Sequence, residues 1–151
     1  EKVLKGIEQI ELTKRRMEII KKENYTIIND SYNANYDSMK PAIEYLHKVD
    51  GNRKIAVLGN MFELGEYTKE LHEKVGEEVA KNKIDKLITV GEYAKDIANR
   101  AKELGMLKNN IIECEDTHKA TEELKKCLKE GDVVLLKASN AMKFNIILEN
   151  L

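Results

Sequence analysis

The chain has 151 residues, 42% hydrophobic and 35% charged, with a net charge of −1. That balance fits one soluble globular domain that needs no disulfide or metal to fold, and it gives no bulk electrostatic case for nucleic acid or an anionic membrane. The apolar runs, such as DVVLLKA at 132–138, fall far short of the ~20 residues of a membrane span, and no signal-peptide pattern opens the chain.

Residues 1–15 are charged and loosely patterned, as in a connection from a preceding domain, and the chain starts at Glu1 rather than Met, as an excised piece would. RMEIIKK (16–22) reads as a strand. Glu23-Asn24 then turns into a second strand over 25–29, and so short a connection requires antiparallel pairing. A helix over 38–49 follows, with Met39, Ala42, Ile43, Leu46 and Val49 on one face, Ser38 as N-cap and Pro41 in the first turn, where a missing N–H costs little. RKIAVLG (53–59) is a strand, and a helix over 67–82 carries Leu71, Val75 and Val79. KLITVG (86–91) is a strand, and a helix over 93–104 stops at Gly105, a good residue to follow a helix. NIIECE (110–115) is a strand, the helix over 117–129 carries Ala120, Leu124, Cys127 and Leu128, VVLLKA is the last strand, and a helix over 141–150 ends the chain.

This alternation predicts an α/β fold: a Rossmann-like, mostly parallel sheet of about six strands with one antiparallel strand and helices on both faces. Continuous apolar strands such as IAVLG are what a doubly covered sheet requires. Cys114 and Cys127, the only cysteines, read as two buried thiols in a reducing cytosol, hence a cytoplasmic protein. His47, His72 and His118 fall in three different helices without metal-ligand spacing and are expected to face solvent.

In such sheets ligands bind beyond the carboxyl ends of the strands. Three of those ends are unusually polar. INDSYNANYDSM (28–39) holds Asp30, which can accept from a ribose hydroxyl, Asn33 and Asn35, which both donate and accept, and Tyr32, with the positive end of a helix beyond. The same composition also suits an ordinary Asx-rich turn. GNMFELGE (59–66) matches neither a phosphate loop nor a dinucleotide fingerprint, and its glycine also fits a plain turn. In LLKASNAM (135–142), Lys137 and Ser139 suit a carboxylate or phosphate, and Ser139 also suits a helix cap. No nucleophilic triad, histidine pair or metal cluster is visible.

INDSYNANYDSMKPAI resembles the signature of the Mur ligase C-terminal domain, in the form of the D-alanyl-D-alanine-adding branch, D-S-Y-N-A-N-P-x-S-M. RRME (15–18) resembles the upstream G-R-M segment, IAVLGNMFELGE (55–66) resembles A-V-L-G-D-M-x-E-L-G, and LLKASNAM resembles V-K-G-S-R-x-M. The resemblance spans nearly the whole chain. It implies the third domain of an ATP-dependent amide ligase of peptidoglycan precursor synthesis. Such an enzyme turns a substrate carboxylate into an acyl phosphate, which an amine then attacks. The implied substrates are ATP, UDP-N-acetylmuramoyl-tripeptide and D-alanyl-D-alanine. The implied partners are the N-terminal and central domains of the same polypeptide, the latter holding the phosphate loop and the ligands of Mg2+. On this resemblance residues 16–151 are the domain. Arg16 is the catalytic residue that approaches the ATP phosphates, and Asp30 meets the ribose. Tyr32, Asn33 and Asn35 line the nucleotide wall, and Lys137 and Ser139 lie near the amine substrate. The isolated domain is expected to be inactive.

The departures from that pattern are Arg15 for glycine, Tyr36 for proline, Asn60 for aspartate, Ala138 for glycine and Asn140 for arginine. They leave two alternatives: a non-catalytic α/β module that binds a nucleotide or a protein, and a related amide ligase with another substrate, such as a folylpolyglutamate-type enzyme.

Overall fold

The computed structural model describes residues 17–151. The expected connection over 1–15 and Arg16 lie outside them. Six strands form, β1 (Glu18–Lys21), β2 (Thr26–Asn29), β3 (Arg53–Gly59), β4 (Lys86–Val90), β5 (Ile111–Cys114) and β6 (Asp132–Lys137). The helices are α1 (Tyr36–Lys48), α2 (Thr68–Lys81), α3 (Lys95–Glu103), α4 (Thr117–Cys127) and the short α5 (Asn145–Glu149). The sheet runs β1-β2-β6-β3-β4-β5. β1 and β2 pair antiparallel, with Ile19 opposite Ile28, and every other neighbouring pair is parallel. The α/β class and the single antiparallel strand are therefore as the sequence predicts.

Handedness decides which face each helix covers. From β2 to β3, β4 and β5 the chain steps toward one edge, and right-handed crossovers put α1, α2 and α3 on one face. Their Met39, Ile43, Val75, Val79, Ile97 and Ala101 pack with Ile28, Leu58, Leu87 and Leu135. The return from β5 to β6 reverses direction, so α4 lies on the other face. There Ala120 and Leu124 join Phe144 and Ile147 over Ile27, Val57, Ile88 and Leu136. Alternation along β6 sends Val133 and Leu135 to the first core and Val134 and Leu136 to the second. The phase of this pleat also fixes where the next side chains point.

Polar contacts tie the layers at the amino ends of the strands. The Arg53 guanidinium holds the Asp132 carboxylate through two bonds of 3.0 and 2.8 Å and donates to the Cys127 carbonyl at 2.6 Å. Lys54 Nζ donates to the carbonyls of Leu46, His47 and Val49, which the end of α1 would otherwise leave open.

Several local expectations need correction. α1 starts earlier than predicted, because Asn35 rather than Ser38 is its N-cap. Pro41 consequently lies in the second turn, where its ring deprives the Asp37 carbonyl of a helical donor. The predicted final helix is broken into a 3₁₀ turn (Asn140–Met142) and α5, because Lys143 adopts φ 56°. Ser139 caps nothing there; its hydroxyl is engaged elsewhere.

Gly76 marks the closest approach of α2 and α3. A methyl group at that position would come within 2.5 Å of the Ile97 carbonyl oxygen and 2.8 Å of Arg100 Cβ. Gly76→Ala gains about 1 kcal/mol of helix propensity but overpacks backbone against backbone, a cost of roughly 1–3 kcal/mol. We expect a net loss of roughly 1 kcal/mol in urea unfolding; a stabilised variant would show that the two helices separate at little cost.

Candidate functional site

The direction reversal makes β6 special. α1 leaves β2 and α2 leaves β3 on one face, whereas β6 feeds α5 on the other. The carboxyl ends flanking β6 are therefore the topological switch points where open α/β sheets bind ligands.

At the β2–β6 point, Asp30 and Lys137 follow Asn29 and Leu136 in the pleat and both turn toward α1. Lys137 Nζ donates to Asp30 Oδ2 at 2.8 Å and to the Asn33 carbonyl at 3.1 Å. Their side chains are only 2% and 9% exposed, so a charge pair bridges the two strand ends inside the protein. The Asp30 N–H also donates to the Leu136 carbonyl, which fixes the backbone at the same place. Together with Asn33, Asn35 and Ser38 the pair lines a cleft of about 420 Å³, with Met17 at its side.

The loop between β2 and α1 is fixed from within. Ser31 Oγ donates to Asn29 Oδ1 at 2.8 Å, and Ala34 is buried. Asn35 Oδ1 accepts from the Ser38 N–H at 2.9 Å, and the Asn35 N–H donates to Ser38 Oγ at 3.1 Å, a reciprocal capping box. Asn35 thus serves the helix start, with the positive end of the α1 dipole at the cleft. Asn33 is exposed and Tyr32 half-buried. Tyr36, the first residue of α1, sends its hydroxyl 3.5 Å from Glu78 Oε2 on α2, while Lys74 Nζ lies 5.8 Å from the centre of its ring. Burial, followed by the Glu78 charge, raises the Tyr36 phenol above its ordinary pKa.

A second cluster forms at the β6–β3 point. The Ser139 N–H donates to the Asn60 carbonyl at 3.1 Å, and the Phe62 N–H donates to Ser139 Oγ at 3.2 Å. Asn60 Oδ1 accepts from the Ala94 N–H at 2.9 Å. Its amide packs beneath Gly91, where the positive φ of 104° and the 2.4 Å clearance exclude a side chain. His72 Nε2 accepts from the Met61 N–H at 3.0 Å while Nδ1–H donates to the Thr68 carbonyl at 2.6 Å. Three loops are therefore held by Asn60, Ser139 and, from α2, His72. Phe62 and Tyr93 meet edge to face above them, with ring centres 6.0 Å apart.

The family pattern described as "Mur ligase, glutamate ligase domain" matches residues 15–140. The chain belongs to the Mur ligase C-terminal domain family. The UDP-N-acetylmuramoyl-tripeptide--D-alanyl-D-alanine ligase of Bacillus subtilis is 33% identical over 153 residues, covering all of this chain and 33% of that protein. The MurF ligase of Thermotoga maritima, solved in complex with ADP, is 33% identical with a TM-score of 0.74 over 90% of this chain and 30% of its own. A MurF structure from Acinetobacter baumannii shares the fold at 24% identity and a TM-score of 0.79, again over 90% of this chain and 30% of that one. The chain thus spans about a third of the length of the relatives it matches.

Within the Mur ligase fold the departures acquire physical explanations. The first residue of a helix tolerates proline because its N–H needs no helical partner, and Tyr36 occupies that position with a side-chain tether instead. Asn60 retains the oxygen that accepts from Ala94, as an aspartate would. Ala138 is fully buried against Gly59, whose missing Cβ makes the room. Nothing in the structure explains Asn140.

Of the expected site residues, Asp30, Asn33, Asn35 and Lys137 come together at one cleft, and Ser139 stands in the neighbouring cluster. Arg16 lies outside the described residues. Among those residues no three His, Cys, Asp or Glu side chains converge as metal ligands do, and no helix is long and apolar enough to cross a membrane. Cys114 is buried as expected, its thiol pushed up to about 11 by burial, while Cys127 is only half-buried. His47 and His118 are exposed, but His72 is fully buried, contrary to expectation. The signal was present: position 72 shares the α2 stripe of Val75, Gly76 and Val79, at spacings of three, four and seven.

Burial lowers the His72 pKa below its ordinary 6.5, because the charged ring would be desolvated and Nε2 would face the Met61 N–H with a proton of its own. The unfolded chain then binds more protons than the native one, so the contribution of His72 to stability is complete above pH 6.5 and is lost as pH falls toward its folded pKa. We expect stability in urea to drop between pH 7.5 and 5.5, and the drop to be smaller in His72→Gln, whose amide oxygen can still accept from Met61. Equal pH slopes in the two proteins would contradict this.

Proposed function

We propose that this chain is the third domain of a cytoplasmic ATP-dependent ligase that joins D-alanyl-D-alanine to UDP-N-acetylmuramoyl-tripeptide in peptidoglycan precursor synthesis. Residues 16–151 form that domain and 1–15 its connection to the central one. The observation that carries the reading is the cleft at the β2–β6 switch point, where Asp30 is held by Lys137 beside the N-terminal end of α1. Family membership and the ADP-bound relative support it.

In this reaction the tripeptide carboxylate attacks the γ-phosphorus of ATP, the bond to the β-phosphate oxygen breaks, and ADP leaves. The dipeptide amine attacks the carbonyl carbon of the resulting acyl phosphate, phosphate departs carrying the bridging oxygen that the carboxylate contributed, and the amine gives up a proton. Magnesium shields the phosphate charge in such transfers. Its ligands would come from the central domain, outside this chain. Asp30 accepts from the ribose hydroxyls, and a carboxylate with about four lone-pair sites has capacity beyond its bond to Lys137. Tyr32, Asn33 and Asn35 form the wall that closes on the nucleotide, with the free N–H groups of the α1 start directed to the same space. Arg16 reaches the transferring phosphoryl group only on closure, so its planar fork meets charge as that charge redistributes. Ser139, in the neighbouring loop cluster, faces the side where the dipeptide enters.

In a full-length protein carrying the central domain, Asp30→Ala and Arg16→Ala should each lower ATP-dependent amide formation by roughly tenfold or more, the worth of a charge-assisted hydrogen bond. Unchanged turnover in both variants would remove the site assignment. The isolated chain should make no amide and bind ATP weakly, since most phosphate contacts come from elsewhere; submicromolar affinity by calorimetry would contradict that.

A further inference from the structure

Lys137 and Ser139 are two residues apart, and the family resemblance groups them beside the amine substrate. The fold separates them. Pleat alternation sends Lys137 to the α1 face, where its ammonium is shared between Asp30 Oδ2 at 2.8 Å and the Asn33 carbonyl at 3.1 Å. Ser139 instead bonds to Asn60 and Phe62 at the other switch point. The Lys137 side chain is 2% exposed and runs beneath the loop that carries Tyr32, Asn33 and Asn35. For the ammonium to reach a dipeptide carboxylate it would have to abandon a buried carboxylate, which leaves both charges poorly solvated.

We infer that Lys137 is a positioning residue of the nucleotide site: it fixes the Asp30 carboxylate for the ribose hydroxyls and pins the loop at Asn33, and it makes no contact with the amine. The inference rests on the ligase reading above. It also explains why a cation is needed at the end of β6. Asp30 and Asn33 lie on a loop braced internally by the Ser31–Asn29 bond and, at its far end, by the Asn35 cap and the buried Ala34. The near end is held by the Asp30 backbone bond to Leu136 and by this ammonium.

Steady-state kinetics of the full-length ligase separate the two roles. Lys137→Met should raise KM for ATP about tenfold or more while KM for D-alanyl-D-alanine stays within about twofold, as expected when a charge-assisted bond serves one ligand alone. Asp30→Asn should do the same, and the double variant should be no worse than the poorer single one, because both changes break one interaction. Lys137→Arg keeps a cation for Asp30 and should lie between wild type and Lys137→Met in KM for ATP. If Lys137→Met fails to fold by circular dichroism, Lys137→Arg decides alone: a change confined to KM for ATP supports the assignment. A rise confined to KM for the dipeptide, additive effects of Asp30 and Lys137, or an unchanged KM for ATP overturns it. A wild-type enzyme that forms no amide from ATP and the two substrates would instead remove the ligase reading itself.

Discussion

A lysine ammonium and an aspartate carboxylate meet inside this protein, and the site is arranged around that pair. Alone, either charge would be too costly to bury. Together they clamp the ends of two parallel strands whose loops leave on opposite faces of the sheet. Because a switch point is by construction a gap between diverging loops, the backbone ladder reaches only one bond past the end of β2, from the Asp30 N–H to the Leu136 carbonyl. The Lys137–Asp30 bridge adds closure from side chains, and its contact to Asn33 extends it into the loop.

The neighbouring switch point is closed by different means. There the groups are neutral: an amide under a glycine, a serine hydroxyl and a deprotonated imidazole nitrogen. The two switch points flank one strand yet differ in electrostatic character, one clamped by a buried ion pair and the other by neutral groups.

Much of this was legible in the sequence. The alternation of strand and helix periods fixed the class, and the short connection around Glu23-Asn24 forced the antiparallel pair. The polar strand ends located Asp30, Asn33, Asn35 and Lys137 at the sheet's ligand edge before any contact was known. What was not legible depended on register and on long-range geometry. Ser38 has the composition of a cap, but Asn35 lies one turn earlier and makes the reciprocal bonds. His72 looked polar by type, whereas its position on the α2 stripe put it in the core. Ser139 was a plausible local cap, and only the proximity of a loop 77 positions away gave its hydroxyl another partner. The pairing of Lys137 with Asp30 spans 107 positions and follows from the pleat phase of two strands that become neighbours only after a reversal of direction.

Tyr36 carries a consequence for how the loop between β2 and α1 assembles. A proline at that position would narrow the conformations of the unfolded chain and so prepare the loop before any tertiary contact forms. Tyrosine leaves the unfolded loop its full freedom, and the compensating tether to Glu78 spans 42 positions. That tether exists only where α2 packs on α1. In this chain a helix-packing contact is added to the bonds that fix the loop from within, Ser31 to Asn29 and Asn35 to Ser38.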